Sequence, residues 1–210
     1  MTRALGAAHQ GESRCMGALD YERDHQLVRR AVRADRKAMR QIVERHQDRV
    51  YRLIYRMVGD VEVAQDLTQE TFLKALQKLD GLHQGQALHR WLSQVATNLV
   101  RDLWRTRKER KEHVEFDEST LNVASPFPHP GRDAESRQAG ERIQAALMEL
   151  PLTYREAFLL RYVEEMSYEE MGEALDLGIS AAKVRVHRAR KMLRDLLPEY
   201  AVDGGTGNEG

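Results

Sequence analysis

The chain has 210 residues, with 33 Lys+Arg balanced by 33 Asp+Glu, 41% apolar and only 6% aromatic side chains. That suits one ordinary domain or two small ones, built as helical bundles with lean cores and large polar faces. The single cysteine, Cys15, excludes an intramolecular disulfide and a cysteine-built zinc site, the histidines show no ligand spacing, and no apolar run is long enough for a secretory signal or a membrane span; no metal and no cofactor is expected, and a reducing cytoplasm is the default.

Residues 1–24 and 199–210 read as disordered tails, small, polar and glycine-bearing. From Gln26 to Arg110 the pattern is helical almost without break. Asp35 is a cap for a helix whose apolar positions include Ile42, Val50, Leu53, Ile54 and Met57, at three- and four-residue spacing. Gly59-Asp60 reads as a stop and restart. The next helix runs from Val61 to about Asp80-Gly81, the loop "GLHQGQALHR" follows, and a further helix runs from about Arg90 past Arg107. Residues 113–135 hold Pro126, Pro128 and Pro130 and more acids than bases, an extended acidic linker. A second helical block, 136–198, is divided by Pro151; in it Ser167 and Glu170 form a capping-box pattern, Gly178 is the residue able to turn left-handed in "DLG", and the last helix starts near Ser180. The expected fold is all-α: two small helical domains, 25–112 and 136–198, joined by a flexible linker, the second containing a helix-turn-helix.

The last helix carries the strongest signal. Stepping around it at 3.6 residues per turn puts Ala182, Val186, Ala189, Leu193, Leu196 and Leu197 within about 60° of one line, the buried face. Lys183, Val184, His187, Arg188 and Lys191 face away, with almost no acid among them to make i,i+4 pairs. Unbalanced cations on a helix that follows a short capped helix and a tight turn suit insertion into the DNA major groove. Lys183, Val184, His187 and Arg188 are placed to reach bases, an arginine–guanine pair being worth roughly 1–3 kcal/mol of discrimination. Arg161 and Tyr168 are placed to contact phosphates and fix register.

The helix after the loop repeats the theme. Leu92, Val95, Ala96, Leu99 and Leu103 form its apolar stripe; Gln94, Asn98, Arg101 and Arg105 lie opposite, at i, i+4, i+7 and i+11. Amides, arginines and a glycine-containing loop suit unpaired bases, while Trp91 fits either the edge of that face or the core. Between the two sits "DLTQETFLKAL", where Asp66, Gln69, Glu70 and Lys74 oppose Leu67, Phe72, Ala75 and Leu76. Its sign is wrong for DNA and right for a basic protein surface.

Three segments in this order resemble one family. "DVEVAQDLTQETFLKALQKL" is similar to the core-polymerase-binding segment of bacterial sigma factors, "WLSQVATNLVRDLWRTRK" to their −10 recognition and melting helix, and residues 147–193 to their −35-binding domain. The short linker points to the extracytoplasmic-function subgroup. The resemblance implies that Asp66, Gln69 and Glu70 meet the clamp of the largest polymerase subunit and that the second domain meets the flap of the second largest. It implies that Leu82, His83, Gln84, Gly85 and Gln86 form the loop receiving a flipped −10 base, that Asn98 belongs to the −10-binding helix, and that Lys183, Val184, His187 and Arg188 read the −35 element. It implies promoter DNA and an anti-sigma protein as partners. Leu82 and Leu88 stand where the family carries aromatics, and Gly178, Ser180 and Ala181 replace its usual Pro and Gly-Thr. The function expected is promoter-specific transcription initiation without covalent chemistry, so no enzyme. The rivals are a helix-turn-helix regulator acting without polymerase and a helical protein-interaction adaptor.

Overall fold

The computed structural model describes residues 20–82, 87–111 and 134–198, and the regular structure in them is helical throughout. Helix α1 spans 20–31, so the segment read as an N-terminal tail gives its last residues to the first domain. The reason is Asp24, which is buried and accepts from Arg45 Nε at 3.1 Å and lies 3.0 Å from His46 Nε2. These partners fix α1 against α2 (Arg36–Val58).

The punctuation follows the sequence. Asp35 Oδ1 accepts from the backbone N–H groups of Lys37 and Ala38, at 2.9 and 3.2 Å. Gly59 takes a left-handed conformation (φ 73°) and its N–H reaches the Tyr55 carbonyl. Asp60 then caps α3 (Val61–Gln77), accepting from Val63 N–H at 2.9 Å. A 3₁₀ turn, Leu79–Gly81, closes that hairpin before α4 (Leu88–Lys111). Ile42, Leu53, Ile54 and Met57 of α2, Phe72 of α3 and Leu92 of α4 are buried in one core.

The second unit comprises α5 (Ala134–Glu149), α6 (Leu152–Tyr162), α7 (Tyr168–Leu175) and α8 (Ile179–Leu196). Helix α5 begins inside the segment read as linker. Leu160, Met166, Met171, Leu175, Ala182 and Val186 make a second small core. The capping box is formed on both sides: Ser167 Oγ accepts from Glu170 N–H and Glu170 Oε2 accepts from Ser167 N–H at 2.8 Å. Two local readings are corrected. The left-handed residue of "DLG" is Asp176 (φ 53°), not Gly178, whose φ is −70°, because the reversal falls on the residue directly after Leu175, and Asp tolerates that conformation. Leu196, assigned to the buried face, is 43% exposed, because α8 outruns the helices beneath it.

The two units are not separated. Leu147 and Leu159 of the second unit are buried in the core of the first, each worth roughly 1.5–3 kcal/mol of burial. Arg155, itself buried, donates to the carbonyls of Met148 (2.7 Å) and Leu150 (2.9 Å) and to that of Met57. One guanidinium therefore satisfies backbone acceptors at the C-terminal ends of both α2 and α5. Burial pushes its pKa down to about 10, which leaves it charged at neutral pH.

Candidate nucleic-acid and protein interfaces

Helix α3 presents the anionic ridge. Its inward side buries Leu67, Phe72 and Ala75, and Thr68 and Thr71 turn their hydroxyls back to the carbonyls of Ala64 and Leu67, both at 2.6 Å. That leaves Asp66, Gln69 and Glu70 exposed together, with Glu70 paired to Lys74 at 2.8 Å. Leu73 stands among them, 63% exposed. The sequence reading passed over it, although its position three residues from Glu70 puts it on the same face. An apolar residue ringed by acid and amide is the make-up of a protein-docking patch.

The helix-turn-helix presents the cationic face. Ala182, Val186 and Ala189 of α8 are buried. Lys183, Val184, His187 and Arg188 are exposed side by side, Val184 at 49%. Tyr168 organises the entry to this face: the Arg161 guanidinium lies 5.0 Å and Lys183 Nζ 5.6 Å from its ring centroid. Arg161 also donates to the Met166 carbonyl at 2.8 Å. Arg188 Nη1 donates to the Tyr154 hydroxyl at 3.0 Å, which aims a long side chain across the surface. Arg185 instead turns inward to Glu156 at 3.2 Å.

Helix α4 is where structure and sequence part. Asn98 and Arg105 are exposed, Arg105 pairing with Asp102 at 2.7 Å. Gln94 and Arg101, expected on the same open face, are covered by the second unit. Arg101 forms a two-pronged pair with the buried carboxylate of Glu156, at 2.8 and 3.0 Å, and donates to the Leu175 carbonyl. Gln94 reaches the Glu173 carbonyl at 3.5 Å. Beside them Arg90 pairs with Glu170, and Glu164 accepts from Arg49 Nε at 2.9 Å and Ser93 Oγ at 2.7 Å. Glu156 and Glu164 are each 1% exposed. Burial raises the pKa of Glu156 while Arg101 and Arg185 pull it down. Leu82 is half-buried against the first core, as is Trp91, which settles the latter as a packing residue. His83, Gln84, Gly85 and Gln86 lie outside the described residues.

A helical unit with an anionic ridge, joined to a helix-turn-helix unit with a cationic face, defines a DNA-binding protein of transcription. The chain matches the Sigma-70 region 2 family over residues 42–110 and the Sigma-70 region 4 family over 140–193. It is 36% identical to the ECF RNA polymerase sigma factor SigE of Mycolicibacterium smegmatis over 77% of this chain and 62% of that protein. It is 33% identical to the ECF RNA polymerase sigma factor SigW of Bacillus subtilis over 81% of this chain and 94% of that one. Its fold is similar to that of the sigma factor RpoE of Bartonella quintana, solved in complex with the anti-sigma factor NepR, with a TM-score of 0.64 and 26% identity over 77% of this chain and 98% of that one. The chain belongs to the ECF family of RNA polymerase sigma factors, and its function is transcription initiation. Among the described residues no helix is long and apolar enough to cross a membrane.

Proposed function

We propose that the chain is an alternative sigma factor of the cytoplasm that acts by binding alone, without catalysis, and that its two units divide the work. Asp66, Gln69 and Glu70, with Leu73 between them, dock on the clamp of the largest subunit of core polymerase, and the second unit meets the flap of the second largest. Lys183, Val184, His187 and Arg188 read the −35 element in the major groove, with Arg161 and Tyr168 at the phosphates. Leu82 to Gln86, with Gln94, Asn98, Arg101 and Arg105, take the opened −10 strand. The observation that carries this reading is the exposed ridge Asp66–Gln69–Glu70 on a different unit from the exposed cationic face of α8, since a regulator acting without polymerase has no use for the ridge.

This division requires the units to part. Elements centred roughly 25 base pairs apart lie about 85 Å apart along the duplex at 3.4 Å per step. Helix α4, of 24 residues, is only about 36 Å long, and it touches α7. The closed arrangement therefore suits storage, including capture by an anti-sigma protein, and the promoter-bound arrangement is open.

The test is transcription in vitro with purified core polymerase. The chain is expected to co-migrate with core enzyme and to create start sites absent without it. Replacing Asp66, Gln69 and Glu70 together by Ala is expected to abolish both while leaving the thermal melt within about 0.5 kcal/mol, as surface changes do. If start-site selection survives that triple replacement, the regulator reading is correct instead.

A further inference from the structure

Helix α5 sets a methionine into a seat that only glycine leaves open. Gly59, at the left-handed end of α2, has no side chain, and a Cβ placed there would collide with the Met148 thioether of α5. Close by, Gln144 of α5 donates to the Tyr55 carbonyl at 3.3 Å, and Leu147 is buried in the first core. Met148 is thus a knob of the second unit lodged in the C-terminal turn of α2. Arg155 Nη1 lies 3.7 Å from its Sδ and also donates to the Met57 carbonyl, which carries that guanidinium across to the first unit.

Met148 is also within reach of an oxidant. Of the eight methionines, Met57, Met166 and Met171 are at most 2% exposed, Met39, Met148 and Met192 are half-buried, and Met1 and Met16 lie outside the described residues. The seat on Gly59 distinguishes Met148 from the other two. A thioether suits that seat because it is apolar, unbranched and a weak acceptor. A sulfoxide is polar and bulkier. Its added oxygen meets the Gly59 backbone on one side. On the other it meets Arg155, where it is a stronger acceptor than sulfur and draws Nη1 off the Met57 carbonyl. Both effects fall on the contact between the units.

We infer that Met148 is an oxidation site that takes one oxygen atom from a hypohalous acid, and that its sulfoxide parts the two units. With hypochlorous acid the net step forms the S–O bond and breaks the O–Cl bond; sulfur loses two electrons, chlorine leaves as chloride, and the proton passes to water. Sulfoxide reductases return the thioether, and the closed form with it. A chain with one cysteine cannot build an intramolecular disulfide switch, whereas a thioether needs no partner.

The experiment treats the full chain with an equimolar amount of hypochlorous acid and locates the added oxygen by mass spectrometry. It then follows amide hydrogen exchange over residues 51–59 and over α6, which face each other's units, with α3 as the reference. Exchange that proceeds through unit opening scales with the open fraction. Oxidation at Met148 is expected to speed exchange of the facing segments roughly tenfold and to leave α3 unchanged. Met148→Leu, a volume-conserving change, is expected to keep the slow exchange of the parent and to lose the response, although Met39 and Met192 remain oxidisable. Met148→Gln, polar and of similar length, is expected to exchange fast without oxidant. A sulfoxide at Met148 with no faster exchange overturns the inference. So do a full response in Met148→Leu, oxygen uptake at Met39 and Met192 that spares Met148, and an equal rise in α3, which marks unfolding rather than parting. Binding of a forked promoter DNA is read alongside and rests on the proposed function: faster exchange with unchanged DNA affinity upholds the oxidation site and overturns the reading that unit contact limits access to α4.

Discussion

Replacing Glu164 by Ala removes one of the two most buried inter-unit carboxylates without touching the anionic ridge or α8. Two hydrogen bonds end on its Oε2, from Arg49 at 2.9 Å and Ser93 at 2.7 Å. Bonds to a charged acceptor are worth roughly 1.5–3 kcal/mol each, which sets an upper figure of about 3–6. Three features of the structure reduce it. Glu164 Oε1 has no partner among the described residues, so the closed state also carries its desolvation cost. The Arg49 side chain is 39% exposed and regains water. Ser93 Oγ can turn its one proton to the His89 carbonyl, 2.9 Å away, and is not orphaned. A net loss of about 1–2 kcal/mol remains, a factor of roughly 5–30 in the ratio of closed to open chain. Apparent affinity scales with the open fraction, so the free chain carrying Glu164→Ala is expected to bind a forked promoter DNA roughly 5–30-fold more tightly, read by fluorescence anisotropy. The gain is expected to disappear in the polymerase-bound form, where the proposed function has the units already apart. A variant that melts earlier but binds DNA no better than the parent refutes the idea that unit contact limits access to α4.

Three further outcomes follow from particular side chains. Arg155→Met strips partners from the carbonyls of Met57, Met148 and Leu150; at roughly 1–3 kcal/mol per buried unsatisfied group the cost is expected to be about 3 kcal/mol or more, seen as a lower urea midpoint. His89 is held at a pKa of about 4 by burial first, then by Arg49 and Arg90. A base whose folded pKa is depressed binds its proton first in the unfolded chain, so stability falls as pH drops from about 6.5 towards 4, by roughly 1–3 kcal/mol; His89→Gln is expected to flatten urea midpoints measured across that window. Arg188→Ala is expected to cost about 1–3 kcal/mol at one −35 base pair and to leave other positions unchanged, whereas Tyr154→Phe, which removes only the hydroxyl aiming Arg188, is expected to cost less; a uniform loss over all sequences makes Arg188 a phosphate contact instead.

What the sequence disclosed was whatever depends on neighbours in the chain. Asp35, Gly59, Asp60 and Ser167 announce helix ends because each cap acts within a few residues, and the buried and exposed sides of α3 and α8 follow from a 3.6-residue period. The misplacements were also local, such as the left-handed turn at Asp176 rather than Gly178. What stayed hidden depends on partners far along the chain. Glu156 and Glu164 carry no signal in the sequence, and Glu170 is legible there only as a cap, because nothing in their local pattern marks Arg101, Arg49 and Arg90 as the groups that come to meet them. For the same reason Gln94 and Arg101 looked as open as Asn98. Leu73 was within reach, since an apolar residue on an otherwise polar face stands out on any helical projection.

The zero net charge acquires a physical meaning from these contacts. Acid in this chain does three separate jobs: Asp66 and Glu70 face outward on α3, Asp35 and Asp60 cap helices, and Glu156, Glu164 and Glu170 hold arginines of the first unit. Under the proposed function the last group stands in for DNA phosphates, because a carboxylate and a phosphate make the same two-pronged demand on a guanidinium. Closing the chain and loading it on a promoter therefore compete for the same donors on α4. Opening into water costs the free energy of those pairs together with the buried faces of Leu147 and Leu159, whereas opening onto DNA exchanges carboxylate for phosphate at Arg101 and exposes mainly the apolar part. Among the described residues the exposed cations of α8 have no such carboxylate partner: Arg188 meets the Tyr154 hydroxyl and Lys183 the Tyr168 ring. Under the proposed division of labour, a chain balanced in this way is expected to engage the −35 element before its −10 helix is free, the second contact forming when another surface, that of core polymerase, separates the units.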